Sequence, residues 1–452
     1  MSLPTTSSTN VARETESDRL KIATRSFKAL VFVIVCAVAS PLFLHYTGFD
    51  TKARIPGLAY PQLHNYNVRT TPGQGLNHGV DFSQVWLSAQ KITAGEEVYY
   101  PVDRVQWRRK WSSTYHPLAH WLYIPISKLQ FQPALIVHNL LGSLLLLVCG
   151  GLALRNAGCQ SAFPAFATLL LAAMYLTPTG LMHLERGQMD TYVAASILCL
   201  VALFQAGGRG WAIAAGILST LKVQAWIFVG LYWILATPLF GLRERNLWWV
   251  PAIIVGSTLL LISQVLDWIP SFMYVAENTS THGPSFTRIL PKLVSYALPV
   301  ASTFAVALAC FMSLRESDQL GNVEERRKLL RRISFPLAAT LTIQTVCGTP
   351  VTHDYRLVAL LGLLPALAVW CVRAEQIPGW LRHASAIAYL ATLYVALRVR
   401  PFTEMKYEDT AYVLLSASLF FVAGAAYLAS APIEMDAVPS PSSARAEGDS
   451  GK

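Results

Sequence analysis

Between Lys128 and Arg155 the chain carries no charged side chain, and between Arg155 and Glu185 it again carries none. Runs of about 18 or more residues with few or no charges are what a hydrocarbon core of about 30 Å demands of a helix. Such runs recur along the sequence, and spans are predicted near 27–46, 133–154, 162–181, 190–206, 211–221, 223–238, 247–266, 289–313, 334–349, 355–373, 380–397 and 410–430. Composition agrees, with 53% of the 452 residues hydrophobic, 14% charged and a mean hydropathy of +0.41. The expected fold class is an all-α polytopic membrane protein with about 12 transmembrane helices. The net charge of +10 is read as Lys and Arg gathered beside spans on the cytoplasmic side, and nucleic acid is not expected as a partner. Seven cysteines (Cys36, Cys149, Cys159, Cys199, Cys310, Cys347 and Cys371) lie mostly in or beside apolar runs without metal-type spacing. They read as small core residues, not as a disulfide framework.

Residues 1–26 form a polar tail whose Lys21 and Arg25, with Lys28, flank the first apolar run, so that run is read as a retained helix with a cytoplasmic N-terminus. Residues 27–431 make the membrane domain. Within it, 47–132 is a long first outer loop containing short interfacial helices. Residues 432–452, rich in Ser, Pro and Ala, are expected to be a disordered cytoplasmic tail.

Two segments set the topology. The stretch 116–129 is apolar, but about 14 helical residues rise only roughly 21 Å, short of a span. The stretch 211–238 is long enough for one span, yet Lys222 sits inside it, and two helices meeting at Lys222 bring that charge to an interface. With 116–129 outside and 211–238 a hairpin, Arg155, Arg209, Arg243, Arg245 and the basic connection from Arg315 to Arg332 all lie on the cytoplasmic side. Asp81, the His183–Asp190 turn, Lys222, the 267–288 loop and His353-Asp354 then share the outer face. The alternative, one span at 116–129 and one at 211–238, puts Arg155 and Arg209 outside.

An arbitrary loop Asp is usually a solvated carboxylate, but Asp81 opens a distinctive run. Gly79-Val80-Asp81-Phe82 continues through Trp86, Gly95 and Tyr99-Tyr100-Pro101 to Tyr115-His116-Pro117-Leu118. Further on come His183-Leu184-Glu185-Arg186-Gly187-Gln188-Met189-Asp190, Gly208-Arg209, Leu221-Lys222, Asn278-Thr279-Ser280 with Gly283 and Phe286, and Thr352-His353-Asp354-Tyr355-Arg356. In order and spacing, over roughly residues 75 to 360, these motifs resemble the family 87 glycosyltransferases, polyprenyl-phosphate-mannose-dependent mannosyltransferases of the C-type integral membrane superfamily. The chain departs from the family pattern with His116 in place of the usual first Pro, Asp190 in place of Asn, and Val223-Gln224 where a Pro is frequent.

The resemblance implies a C-type glycosyltransferase fold and transfer of a hexose, mannose above all, from a polyprenyl phosphate to a hydroxyl of a lipid or glycan acceptor. It implies an active site on the outer face of a bacterial-type plasma membrane and no cofactor. A hydroxyl is a weak nucleophile, so a positioned carboxylate that takes its proton accelerates attack. Asp81 is the candidate general base. One base suffices for inversion, with Glu185 and Asp190 as possible helpers. Lys222, Arg186 and Arg356 are the candidate cations for the leaving phosphate, against bland readings as snorkelling, capping or lipid-contacting residues. His353 is a candidate to orient Asp81 or donate to phosphate, and Gln188 to contact a sugar hydroxyl or cap its helix. Tyr115 and His116 belong to the substrate-binding set. His116 and His120 share metal-like spacing but lack a third ligand, and no metal is expected. The run Trp107-Arg108-Arg109-Lys110-Trp111 reads as an amphipathic surface helix in which Arg108 and Arg109 receive a lipid phosphate. The rival readings are a transporter or flippase of a lipid-linked sugar, for which no internal repeat is seen, and a glycan ligase or polymerase.

Overall fold

The computed structural model describes residues 80–99, 113–222, 225–226, 229–231, 245–278, 283–316, 322–349, 354–372, 378–397 and 406–430. Among these, every regular element is a helix, as the composition requires. The predicted first span, both tails, most of the first outer loop (Arg108 and Arg109 included) and His353 lie outside the described residues.

The helices run in the order α1 (Val80–Ala94), α2 (Pro117–Ser127), α3 (Phe131–Asn156), α4 (Phe163–Leu176), α5 (Pro178–Arg186), α6 (Asp190–Ala206), α7 (Arg209–Thr220), α8 (Trp249–Leu260), α9 (Ile262–Asn278), α10 (Lys292–Glu316), α11 (Val323–Gly348), α12 (Leu364–Val372), α13 (Gly379–Leu397) and α14 (Tyr407–Ser430). A ten-residue 3-10 stretch, Asp354–Leu363, leads into α12. Helix α6 is the axis: every residue from Asp190 to Gln205 is buried. A helix that is apolar all round must be enclosed all round, and α3, α7, α11 and the 3-10 stretch pack against it. Ser196 at its middle donates to the Ala215 carbonyl at 3.1 Å, which satisfies a hydroxyl that the apolar surroundings would otherwise penalise. Among the described residues, Cys149, Cys159, Cys199, Cys310 and Cys347 are buried and unbridged, the core role expected of them.

Among the described residues, three helices are long and apolar enough to cross a membrane (Pro133–Asn156, Lys292–Glu316 and Tyr407–Ser430), or up to four if one bent pair counts as a span. The predicted spans at 27–46 and most of 223–238 lie outside the described residues, and elsewhere the shorter or broken helices have local causes. The span predicted at 162–181 breaks at Thr177, because Pro178 forces the preceding residue into extended geometry (ψ 154) and Thr177 Oγ1 caps the new helix by accepting from the Gly180 amide. The span predicted at 247–266 bends by 95° after Leu260. Here Ser257 and Thr258 both donate back to the Ile254 carbonyl, at 3.0 and 2.7 Å, competing with the backbone ladder one turn before the bend. Beyond it α9 is amphipathic, exposing Ile262, Leu266, Ile269 and Met273 while Val265, Trp268 and Phe272 pack inward beside Val98 and Tyr99. The range predicted as one span at 355–373 begins as 3-10 helix, whose rise of about 2 Å per residue lengthens an otherwise short element.

The chain leaves helical geometry at Leu221 and Lys222, the break that the hairpin arrangement needs. Arg331 Nε donates to the Gln205 carbonyl at 2.8 Å, and the Arg209 guanidinium lies 3.9 Å from the centroid of the Trp249 ring. The C-terminus of α6, the N-termini of α7, α8 and α11, and the basic connection therefore share one end of the bundle. Asn139 and His138, near the start of α3, bond to the Leu184 and Gln188 carbonyls. So α3 begins at the other end and carries Arg155 toward the basic one, the placement that the hairpin arrangement anticipates.

Close packing makes Gly180 irreplaceable. A Cβ there would fall onto the carbonyl oxygens of Ala173 and Met174, which are backbone and cannot swing aside. Gly180→Ala is expected to destabilise the protein by about 3 kcal/mol or more, seen as a lower unfolding temperature and a loss of monodisperse protein in detergent. An unfolding temperature equal to that of the native protein would contradict the α4–α5 packing.

Candidate functional site

Asp81 lies in the first turn of α1, where the partial positive charge of a helix N-terminus favours a carboxylate. The next residue fixes it. Phe82 is fully buried, packed against Phe131, Tyr123 and His138. Further along α1, Trp86 donates to the Leu129 carbonyl and Gln90 to that of Ser127, at 3.3 and 3.0 Å, which ties α1 to the end of α2. Arg186, at the end of α5, donates from Nε to Asp81 Oδ2 at 2.6 Å.

The turn after Arg186 carries the other half of the site. Gly187 ends α5 in the left-handed region (φ 65), and a Cβ there would lie 2.5 Å from Phe82 Cβ and 2.6 Å from Leu135 Cδ1. Glycine is thus needed for its backbone angle and for the close approach of α1. Three residues on, Asp190 begins α6 and accepts from Lys222 Nζ on both oxygens at 2.7 Å. Gln188 Oε1 lies 3.4 Å from the same ammonium. Lys222 sits at the helix break beyond α7 and is buried, not at an open interface as expected from the sequence. Burial holds its ammonium down to about 8. Asp190 opposes that shift, Arg356 adds to it, and Asp81 opposes it more weakly. A cavity of about 20 Å³, room for about one water, touches Asp190, Thr342, Thr345, Thr349 and Arg356.

Three cations (Arg186, Lys222 and Arg356) thus face two carboxylates (Asp81 and Asp190) from five separate elements at the end of the bundle remote from the basic connection. The surplus is positive. Gln188 joins this group, as the sequence suggested. Tyr115 and His116 do not. Tyr115 accepts at its carbonyl from Tyr99, and His116 caps α2 by accepting at Nδ1 from the Leu118 amide. Among the described residues, no three His, Cys, Asp or Glu side chains converge as metal ligands.

Sequence reading missed the support beneath the charged group. His138, buried in α3, sits 3.2 Å (Nε2) from the Gln188 carbonyl and 2.7 Å (Nδ1) from Tyr123 Oη. A carbonyl only accepts, so Nε2 carries the proton and donates, and Nδ1 accepts from the tyrosine. Tyr192 donates to the His138 carbonyl at 3.0 Å. This chain fixes the Gly187–Met189 turn from below and stacks His138 on Phe82 at 5.0 Å, so one imidazole holds the neighbours of both Asp81 and Asp190. The signal was available, because His138 is the one ionisable residue in an uncharged run, and such residues are seldom there without a role.

Comparison with protein-family models, with curated proteins and with solved structures found no match.

Proposed function

We propose that the chain is an integral membrane glycosyltransferase that moves a hexose, mannose first among them, from a polyprenyl-phosphate donor to a hydroxyl of a lipid or glycan acceptor, with inversion. The observation that carries this reading is the charged group itself: a carboxylate held at a helix N-terminus by Arg186, beside a positively charged excess that suits a phosphate. The acceptor oxygen attacks the anomeric carbon and its proton passes to Asp81. The bond from that carbon to the phosphate oxygen breaks, and the phosphate leaves with the electron pair. Arg186 orients Asp81. Lys222 and Arg356 stabilise the charge gathering on the leaving phosphate, while Asp190 holds Lys222 charged and in place until the donor arrives. On this reading the basic connection is cytoplasmic and the site faces the outside, at the boundary where a lipid phosphate sits.

The reading is tested by giving the purified protein, in nanodiscs, labelled polyprenyl-phosphate mannose with a membrane lipid extract. Label should move to a new lipid or glycan with release of polyprenyl phosphate. Label carried across the bilayer without bond cleavage would replace this reading with a flippase.

The Lys222 ammonium also gives a pH signature. Its value is lowered from 10.5 to about 8 in the folded chain, so the unfolded chain holds the extra proton between the two. Its contribution to stability therefore rises with pH across that window, whereas its charge on the phosphate is lost. Turnover is expected to fall as pH rises through about 8 without a parallel fall in unfolding temperature, and Lys222→Arg, always charged, should shift the decline upward. A flat rate from pH 7 to 10 would remove Lys222 from the reaction.

A further inference from the structure

Beside the charged group lies a second cluster with no charge. His116 is enclosed between two indoles, with ring centroids 5.0 Å from Trp226 and 5.5 Å from Trp268 in edge-to-face contact. His120, one turn along α2, stands 5.8 Å from the Tyr99 ring. Both histidines are fully buried. Among the described residues, four of the nitrogens here have no hydrogen-bond partner: His116 Nε2, both ring nitrogens of His120, and Trp226 Nε1. The Tyr115 carbonyl faces His120, but outside hydrogen-bonding geometry. Buried polar atoms are satisfied in the great majority of cases, so four orphans in one place mark a group that belongs there.

The chemistry of the cluster narrows what that group is. Because His116 Nδ1 accepts from the Leu118 amide, its Nε2 carries the proton and donates. Burial holds His116 down to about 4 and His120 to about 3, so both are neutral at working pH; His116 offers its Nε2 donor, and His120 one donor and one acceptor nitrogen. Three neutral donors and one acceptor beside indole rings match the hydroxyls and the C–H face of a sugar ring, whereas a phosphate, which only accepts, would leave the His120 acceptor unmatched. The position fits as well. Trp226 follows Lys222 by one helical turn, with the Ala225 amide donating to the Lys222 carbonyl at 2.9 Å. On the other side Gln84, one turn after Asp81, accepts from the Thr114 amide and hydroxyl just before His116. The cluster is thus tied to both the base and the cation. An open cavity of about 770 Å³ between the end of α1 and α9 reaches the cluster at Tyr99 and is not lined by His116, His120 or Trp226.

Resting on the function proposed above, we infer that His116, His120 and Trp226 form the subsite that recognises the transferred sugar ring through its hydroxyls. The charged group beside them takes the phosphate.

The test measures binding without turnover. Full-length protein carrying Asp81→Asn, in nanodiscs, is titrated with polyprenyl phosphate and with its mannosyl and glucosyl phosphodiesters. At least one sugar-bearing lipid should bind about tenfold or more tighter than the bare phosphate, the effect of one to two retained hydrogen bonds. Adding His116→Asn, whose amide oxygen still caps α2, or Trp226→Phe, which keeps the ring but not the N–H, should bring the sugar-bearing lipid down to the affinity of the bare one. The bare lipid should be unaffected. An unchanged preference in both variants, equal binding of all three lipids to the starting protein, or an equal loss for sugar-bearing and bare lipids would overturn the subsite while leaving the phosphate reading intact. A metal bound one per chain and released by His116→Asn would overturn it too. Failure of every lipid to bind would remove the proposed function and the subsite together.

Discussion

Asp81→Asn is expected to lower sugar transfer by about 10²- to 10⁴-fold, the range typical of a lost general base, with the apparent affinity for the donor nearly unchanged. The substitution keeps the shape of the side chain and its place at the start of α1, and removes only the charge that receives the acceptor proton. Its side effect falls on Arg186, which loses the partner held at 2.6 Å. That pair is partly open, with side-chain exposures of 14% for Asp81 and 20% for Arg186, so water screens the guanidinium and the structural cost should stay near 1 kcal/mol. Arg186→Gln separates the two effects. It leaves the carboxylate without its orienting donor, and transfer should fall by less than in Asp81→Asn. Steady-state kinetics with labelled donor, beside direct donor binding, decide the matter. If Asp81→Asn transfers sugar at more than a tenth of the native rate, or if it loses donor binding and rate together, Asp81 is not the base.

How far the sequence carried this picture differs from element to element. The span read at 190–206 coincides with α6, since Asp190 and Gly207 bracket an uninterrupted apolar run. The break at Thr177-Pro178 was legible in principle from the proline, but apolarity on both sides hid it. The bend after Leu260 follows Gly256-Ser257-Thr258, and Ser257 and Thr258 turn back onto one carbonyl; that signal lay inside an apolar run and was not read. The same division runs through the site. Asp81, Arg186, Gln188, Asp190, Lys222 and Arg356 were all candidates, because polar residues at the ends of apolar runs stand out. Which cation holds which carboxylate was not legible: Asp81 and Arg186 are 105 residues apart and Asp190 and Lys222 are 32 apart. Only the meeting of α1 with α5, and of α6 with α7, creates those pairs. Tyr115 and His116 were placed in the substrate-binding set by their position in the sequence, and the fold sets them apart from the charged group.

The pairing of Asp190 with Lys222 leads to the largest structural effect expected of any single substitution. Lys222 is buried and has its ammonium held by both oxygens of one carboxylate. Removing one member of a buried ion pair leaves the other desolvated and uncompensated, at a cost of about 3–5 kcal/mol, so Asp190→Ala should sharply lower the unfolding temperature. Its burden is the stranded ammonium and not a lost contact, so removing the ammonium as well should relieve it. Asp190→Ala combined with Lys222→Met is expected to recover most of the stability, because an apolar side chain of similar length tolerates the site that a bare charge does not. The same double variant should stay inactive, having lost the cation for the leaving phosphate. Stability restored without activity is the combination that an interfacial, lipid-contacting lysine would not produce. A snorkelling Lys222 predicts little loss in Asp190→Ala and no rescue in the double variant. Unfolding temperatures of the native protein and the two variants in one detergent, with transfer rates beside them, separate these outcomes.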